Sequence, residues 1–509
     1  MKYLLLLISI ITVGVNKLQA QFLGKDLRTT LFLESSLSTN GTNPFWIRSN
    51  THGQNLFESN YVSIGSVIDL RYDSTYSKDR VLNKFDLGIT ITPQVYSGSF
   101  GTRVQLNQAH AKARYKNFEL FVGRKKEIIG LTDSTLSSGS MSWSGNSLPV
   151  PQIKIHIPYF VPLLKSNLIS YKASYSHGWF GKHRYFKGIM LHQKSLYLRI
   201  GKPKWNLSFT GGFNHNVQWG GQLNNITSLS TINGRRLPNS FSDYLFVVTG
   251  LALGNTERII SQTNLNEFDL TNRVGNHLGT IDVGMELKID KLKIFIYRQS
   301  FYDDGSLFYL NNISDGLTGI SFKINNIAQH SRKRINFKFI YEFFSSQSQG
   351  GQLGFDQNIS SLRGRDNYYN HGQFIDGWSL NLRGIGSPFI TPQRESKESL
   401  PRYINTTISD INVEYFTNNN RVNAHYIGTS FVCGHKTLVT KLSKSFNKGS
   451  YTYPFTDNIN QISWFIQLES PLKFHTKFIP RIKFAIGGDR GSLFENSSGS
   501  SFSINYNFQ

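Results

Sequence analysis

The run INFKFIYEF, residues 335–343, sets Ile335, Phe337, Phe339, Tyr341 and Phe343 against Asn336, Lys338 and Glu342. A β-strand points successive side chains to opposite faces, so this stretch has one greasy face and one polar, partly charged face. The same alternation runs along most of the chain. Upstream, Val62, Ile64, Ile68, Leu70 and Tyr72 oppose Ser63, Gly65, Asp69 and Arg71, and Phe85, Leu87, Ile89 and Ile91 oppose Lys84, Asp86, Gly88, Thr90 and Thr92. Downstream, Ile411, Val413 and Tyr415 alternate with Asn412 and Glu414, and Ile462, Trp464, Ile466 and Leu468 with Ser463, Gln467 and Glu469. About twenty such segments can be read, near the roughly ten residues that a tilted strand needs to cross a bilayer.

A soluble sandwich also alternates. What separates the two is the placement of charge, which keeps to the polar face of nearly every segment. A Lys or Arg facing lipid costs roughly 2–4 kcal/mol at the midplane, so lipid would enforce this segregation. Closing the strands on themselves removes the open edges that neither water nor lipid tolerates well. The pattern therefore predicts an all-β fold, a transmembrane outer-membrane β-barrel. The last strand, SFSINYNF at residues 501–508, puts Phe502, Ile504, Tyr506 and Phe508 on its greasy face, with Gln509 beyond.

The N-terminus agrees with export. Lys2 precedes an apolar core from Tyr3 to Val15, and Leu18-Gln19-Ala20 offers a small residue at a cut before Gln21. Residues 1–20 thus read as a signal peptide and 21–509 as a single barrel domain. No later run reaches eighteen apolar residues, so no membrane helix is expected. Charged residues are only 17% of the 509, yet the net charge is +23, which favours anionic lipid or acidic polymers as partners. The single cysteine, Cys433, excludes an intramolecular disulfide and a thiolate metal cluster.

Two stretches break the alternation. Residues 122–162, VGRKKEIIGLTDSTLSSGSMSWSGNSLPVPQIKIHIPYFVP, are rich in Gly, Ser and Pro, but Trp143, Leu148, Val150, Ile153, Ile155, Ile157, Tyr159 and Phe160 run through them. A long irregular segment with that apolar content reads as an ordered loop folded back onto the sheet. Tight connections read at 115–117, 290–291 and 418–421; counting strands from the N-terminus puts the first on the periplasmic side, and so this stretch on the external side or inside the barrel mouth. The second stretch is GRDNYYNHGQFIDGWSLNLRGIGSPFI, residues 364–390. Near the N-terminus, NPFWIRSNTHG at 43–53 places Trp46 and Arg48 between turn signals; a tucked-in Trp46 and a ligand-contacting one both fit.

These stretches carry a resemblance. LSSGSMSWSGNSLPVPQIKI at 136–155, the aromatic-Trp-x-Arg-x-Asn run around Trp46, and the DNYYN core with Trp378 and the Gly-x-Gly-x-Pro ending resemble, in order, segments of the Wzi-type capsule assembly proteins, the last as in Bacteroidetes members. The resemblance implies one barrel of roughly eighteen antiparallel strands with an infolded central loop. It also implies a non-catalytic protein that binds surface or capsular polysaccharide, acidic ones included, and assists capsule assembly.

The residue chemistry suits sugar. Aromatic faces stack on pyranose C–H faces, and amide, carboxylate and hydroxyl groups bond their hydroxyls. Trp143, Tyr368, Tyr369 and Trp378 supply faces; Asn146, Asp366 and Asn367 supply polar ends; Arg363 and Arg365 could pair with uronate carboxylates, as could Arg383. Interface girdles and loop braces use the same aromatics. No HExxH, GxSxG or P-loop is present, and the scattered histidines make no convincing metal site. The expectation is no enzyme, no cofactor, no metal and no nucleic-acid partner, with outer-membrane lipid and lipopolysaccharide around a monomer. A passive porin or glycan channel is the first alternative, and an outer-membrane hydrolase the second.

Overall fold

The protein is described from a computed structural model. The described residues are 26–71, 85–182, 184–224, 232, 235–251, 273–303, 307, 310–325, 335–351, 366–405, 413–472 and 479–508. The signal-peptide reading at 1–20 lies outside them, as do Arg363 and Arg365.

Eighteen long strands form one closed antiparallel barrel. Each pairs with its neighbour in chain order, and the first, Asp26–Ser38, pairs with the last, Ser497–Phe508, from Thr29 against Phe508 to Ser38 against Gly499. No sheet edge is left open, which is the requirement for strands in lipid. A short piece, Gln222–Leu223, adds to one rim beside Phe186–Ile200.

The alternation sorts as the sequence predicts. Phe85, Leu87, Ile89 and Ile91 are 50, 41, 46 and 39% exposed, in a chain whose inward positions are covered. Such a row of exposed large apolar side chains on strand after strand is a lipid face. On Ile335–Ser345, Lys338 points inward and its Nζ meets the Asp133 carboxylate at 2.8 Å. A closed barrel with this exterior is an outer-membrane barrel, and the outer membrane is its location.

The two ends differ. Turns at 116–117, 290–291 and 434–435 close one end in two residues each. The long connections 39–60, 125–151, 220–275, 304–315 and 346–421 all leave the other end. In outer-membrane barrels the short turns face the periplasm, so the long connections mark the outer mouth.

One segment departs from the alternation reading. Residues 411–415 look like a wall strand, but Val413–Glu414 pairs with Ile404–Asn405 in a small two-stranded sheet apart from the wall, and 411–412 lie outside the described residues. Val413 and Tyr415 are buried. The period-2 pattern there serves a folded connection rather than the barrel. For the same reason 418–421 is the exit from that connection into Val422–Cys433, not a hairpin turn.

Candidate functional site

Three of the long connections do not stand above the barrel: 39–60, 125–151 and the described part of 346–421 fold into it. The strand Phe118–Arg124 has only seven residues, so the chain leaves the wall partway up and turns inward. There Ser137 Oγ and Ser138 N donate to the Glu342 carboxylate at 2.6 Å each, and Met141 N donates to Gln299 Oε1 at 3.0 Å. Leu131 N donates to Asp282 Oδ2 at 2.8 Å. The polar inner face of the wall is thus spent on the backbone of residues 131–141. Where the plug is apolar the wall is too: Trp46, Met141, Trp143, Tyr369 and Trp378 share one buried cluster with inward-facing Tyr297, Phe301, Ile340, Phe344, Tyr426 and Phe465.

The two non-alternating stretches meet. Trp378 Nε1 donates to Ser142 O at 2.7 Å, and Tyr369 Oη donates to Met141 O while accepting from Ser387 N at 2.7 Å. Ser144 N donates to Ile385 O at 2.9 Å. Asn146 bridges Asn50 N and Gly384 O, both at 3.3 Å. The Trp143 and Trp378 rings meet edge-on at 6.1 Å. The close approach needs glycine at 386, where a Cβ would lie 2.0 Å from Tyr369 Oη. Tyr368 and Tyr369 are fully buried, and Tyr368 Oη donates to Asp315 Oδ2 at 3.0 Å and accepts from Asn312 Nδ2 at 2.8 Å. Burial pushes both phenols well above their ordinary pKa, so both stay donors.

The N-terminal connection joins the same body. Trp46 is buried and donates to Ser443 Oγ at 3.0 Å, which resolves it as a tucked-in ring. Arg48 and Glu395 form a 2.8 Å ion pair with side chains only 4 and 6% exposed. Arg383 donates to Asn55 O and Arg48 O at 2.6 Å each. Burial opposes ionisation of Glu395, but Arg48, Arg394 and Arg383 outweigh it and hold the carboxyl below its usual range. Burial also draws Arg383 down to about 10.

Of the residues expected to contact sugar, Trp143, Asn146, Tyr368, Tyr369 and Trp378 are therefore covered by protein. Asp366 and Asn367 are half-buried at the loop end. Around them lies a set that sequence reasoning missed. Asn367 Nδ2 donates to Tyr403 Oη at 3.2 Å, and the Tyr403 ring packs on Tyr415 and Tyr453 at 4.4 and 4.9 Å. Arg421 stacks 3.7 Å above the Tyr451 ring. Tyr403, Arg421, Tyr451 and Tyr453 are half-buried, and the turn holding the last two joins wall strands at the mouth. The available signal was SYTY at 450–453, two tyrosines in a four-residue turn. Rings, an amide, a carboxylate and a guanidinium at one partly open surface are the groups that bind sugar. Among the described residues no group of three or more His, Cys, Asp or Glu is placed to hold a metal ion.

Comparison with known proteins gives the fold. The chain resembles Wzi of Escherichia coli, an outer-membrane protein involved in group 1 capsule assembly and a carbohydrate-binding β-barrel, with TM-score 0.54 and 13% identity over 98% of this chain and 87% of that one. Two Pseudomonas aeruginosa barrels are more distant. OccK3 matches with TM-score 0.43 and 10% identity over 95% of this chain and 96% of its own. OprD matches with TM-score 0.40 and 8% identity over 95% of each chain. No family model matches the sequence, and no curated protein does.

Proposed function

We propose that this chain is a non-catalytic, non-conducting outer-membrane protein that binds surface or capsular polysaccharide at its outer mouth and assists capsule assembly. The observation that carries the reading is the plugged lumen: three loop segments and the inward wall share one buried apolar cluster. A barrel built to pass solutes leaves a polar aqueous channel instead. Wzi, with the same fold, is a carbohydrate-binding barrel. In this reading Asp366 and Asn367 contact the glycan together with Tyr403, Arg421, Tyr451 and Tyr453. Arg363 and Arg365, three residues and one residue before Asp366, add charge for acidic sugars. Trp143, Asn146, Tyr368, Tyr369 and Trp378 hold the mouth in shape.

The test is a glycan array on the purified barrel, paired with conductance in planar bilayers. Binding of an acidic polysaccharide by a silent barrel is expected. Steady conductance without glycan retention would replace the reading with a passive channel, and turnover of glycan or lipid would replace it with a hydrolase. N-terminal sequencing of the mature protein tests the processing that goes with it, a start at Gln21 with 21–509 as one barrel domain.

A further inference from the structure

The exterior of the wall is apolar on strand after strand, but polar positions interrupt it toward the outer mouth, and one such patch is rich in histidine. His177, His192, Val217 and His277 lie in register across four adjacent strands, all pointing outward. The next row toward the short-turn end is Tyr175, Lys194, His215 and Gly279. One row further, Ala173, Leu196, Phe213 and Ile281 return to the apolar pattern, with Leu196 37% and Ile281 50% exposed. The polar patch thus adjoins the lipid band directly, where an ammonium and four imidazoles are poorly tolerated.

A helix covers it. Phe241–Thr249 is capped at its start, where the Ser240 side chain and Asp243 exchange hydrogen bonds with each other's backbone, and it ends at Gly250 in the left-handed conformation. Its inner face bonds part of the patch. Tyr244 Oη lies 3.3 Å from His192 Nδ1 and 2.9 Å from Tyr175 Oη, and its ring packs on Trp219 at 5.2 Å. Lys194 Nζ donates to Val248 O, and Arg273 donates to Gly250 O at 2.7 Å. His215 and His277 bond to each other at 2.9 Å. His192, His215 and His277 are buried beneath. The outer side of this segment offers Phe241, Leu245 and Leu251, which are 78, 53 and 61% exposed. At its leading edge Lys187, Arg235 and Arg236 are exposed, brought together by the pairing of Gln222 with both Lys187 and Arg236.

We propose that the helix Phe241–Thr249 is an external shield seated in the outer leaflet of the membrane. It replaces a polar patch of wall with Phe241, Leu245 and Leu251 facing acyl chains, while Lys187, Arg235 and Arg236 take the phosphate of lipid headgroups. Continuity with the apolar band fixes the occupant: a protein partner would have to displace lipid from the adjoining rows to reach this face. An interfacial helix with aromatic and leucine side chains on one side and cations beside it has the composition that such a position selects.

The test places a spin label at Leu245→Cys in a Cys433→Ser background, with Ile281→Cys and Asn496→Cys as references for lipid and water. The exposed positions leave the fold intact. In vesicles of phosphatidylethanolamine and phosphatidylglycerol, the label at 245 should match 281, with oxygen access at least fivefold above access of a water-soluble nickel chelate. Ratios matching 496 would overturn the proposal. In the second arm, Lys187, Arg235 and Arg236 are replaced together by Ser. At least a twofold fall in phosphatidylglycerol retained through detergent washing is expected, and unchanged retention would overturn the headgroup assignment.

Discussion

Two sets of aromatic side chains in this chain have opposite surroundings. Trp143, Tyr368, Tyr369 and Trp378 lie inside the barrel, with the polar tips of Tyr368, Tyr369 and Trp378 already bonded to another loop or to the wall. Tyr403, Tyr451 and Tyr453 lie at the mouth, half-buried, with rings stacked on one another or on Arg421. Both sets come from Gly- and Asn-rich sequence, and both have the composition of a sugar site. What differs is coverage. A ring whose two faces touch protein contributes packing; a ring with one face open can take a pyranose.

The largest expected effect breaks the inner set. Trp378→Ala removes a fully buried ring and its bond to Ser142, and a core deletion of that size costs about 3–5 kcal/mol. The barrel wall, held by its own ladder, should persist. The plug should loosen, seen as conductance steps in bilayers and new protease cuts within 125–151. A variant that stays sealed and loses only glycan binding would move Trp378 from the plug to the binding surface.

The fold was legible because lipid imposes one rule on the outside of every strand. Leu87, Ile89 and Lys338 obey it, and their alternation is visible without a structure. The interior follows no single rule. Ile340 and Phe344 face inward beside Glu342 because the plug meets the wall with carbon at some heights and backbone amides at others. That inner pattern depends on a partner segment two hundred residues away. Residues 413–415 mislead for the same reason: they alternate, but against the plug. The convergence of the central loop with the DNYYN run was foreseeable from their shared break in pattern, whereas coverage of their rings was not. The mouth tyrosines escaped notice because two sit in a wall turn and one in a connection.

A second, intermediate effect separates the regions by pH. The Glu395 carboxyl has a folded pKa below its unfolded value of about 4.3, so the ion pair with Arg48 contributes stability that is complete above that value. The contribution is lost as pH falls through the depressed folded value. The plug should therefore loosen in acid below about pH 4 while the wall remains. Glu395→Gln should bring that loosened state to neutral pH, because it strands Arg48 unpaired among buried rings. Protease protection of 366–405 measured from pH 7 to pH 3 checks both. Equal acid sensitivity in the wild type and the Gln variant would assign the transition to other carboxylates.

The smallest effect concerns the mouth. Tyr403→Ala and Tyr453→Ala each remove a half-buried ring, and of the two only Tyr403 borders the inner cluster. Stacking of one ring contributes about 1 kcal/mol, so each variant should weaken polysaccharide binding about five-fold, and the pair about twenty-five-fold if the contacts are independent. Thermal resistance of the barrel and its silence in bilayers should match wild type. Tyr403→Phe keeps the ring and drops only the hydroxyl that accepts from Asn367, so it should retain most of the affinity. If Phe behaves like Ala, the hydroxyl and not the ring face matters at that position. Should the double alanine variant bind as wild type does, the open rings are a brace like the buried ones, and the comparison between the two sets collapses into a single structural role.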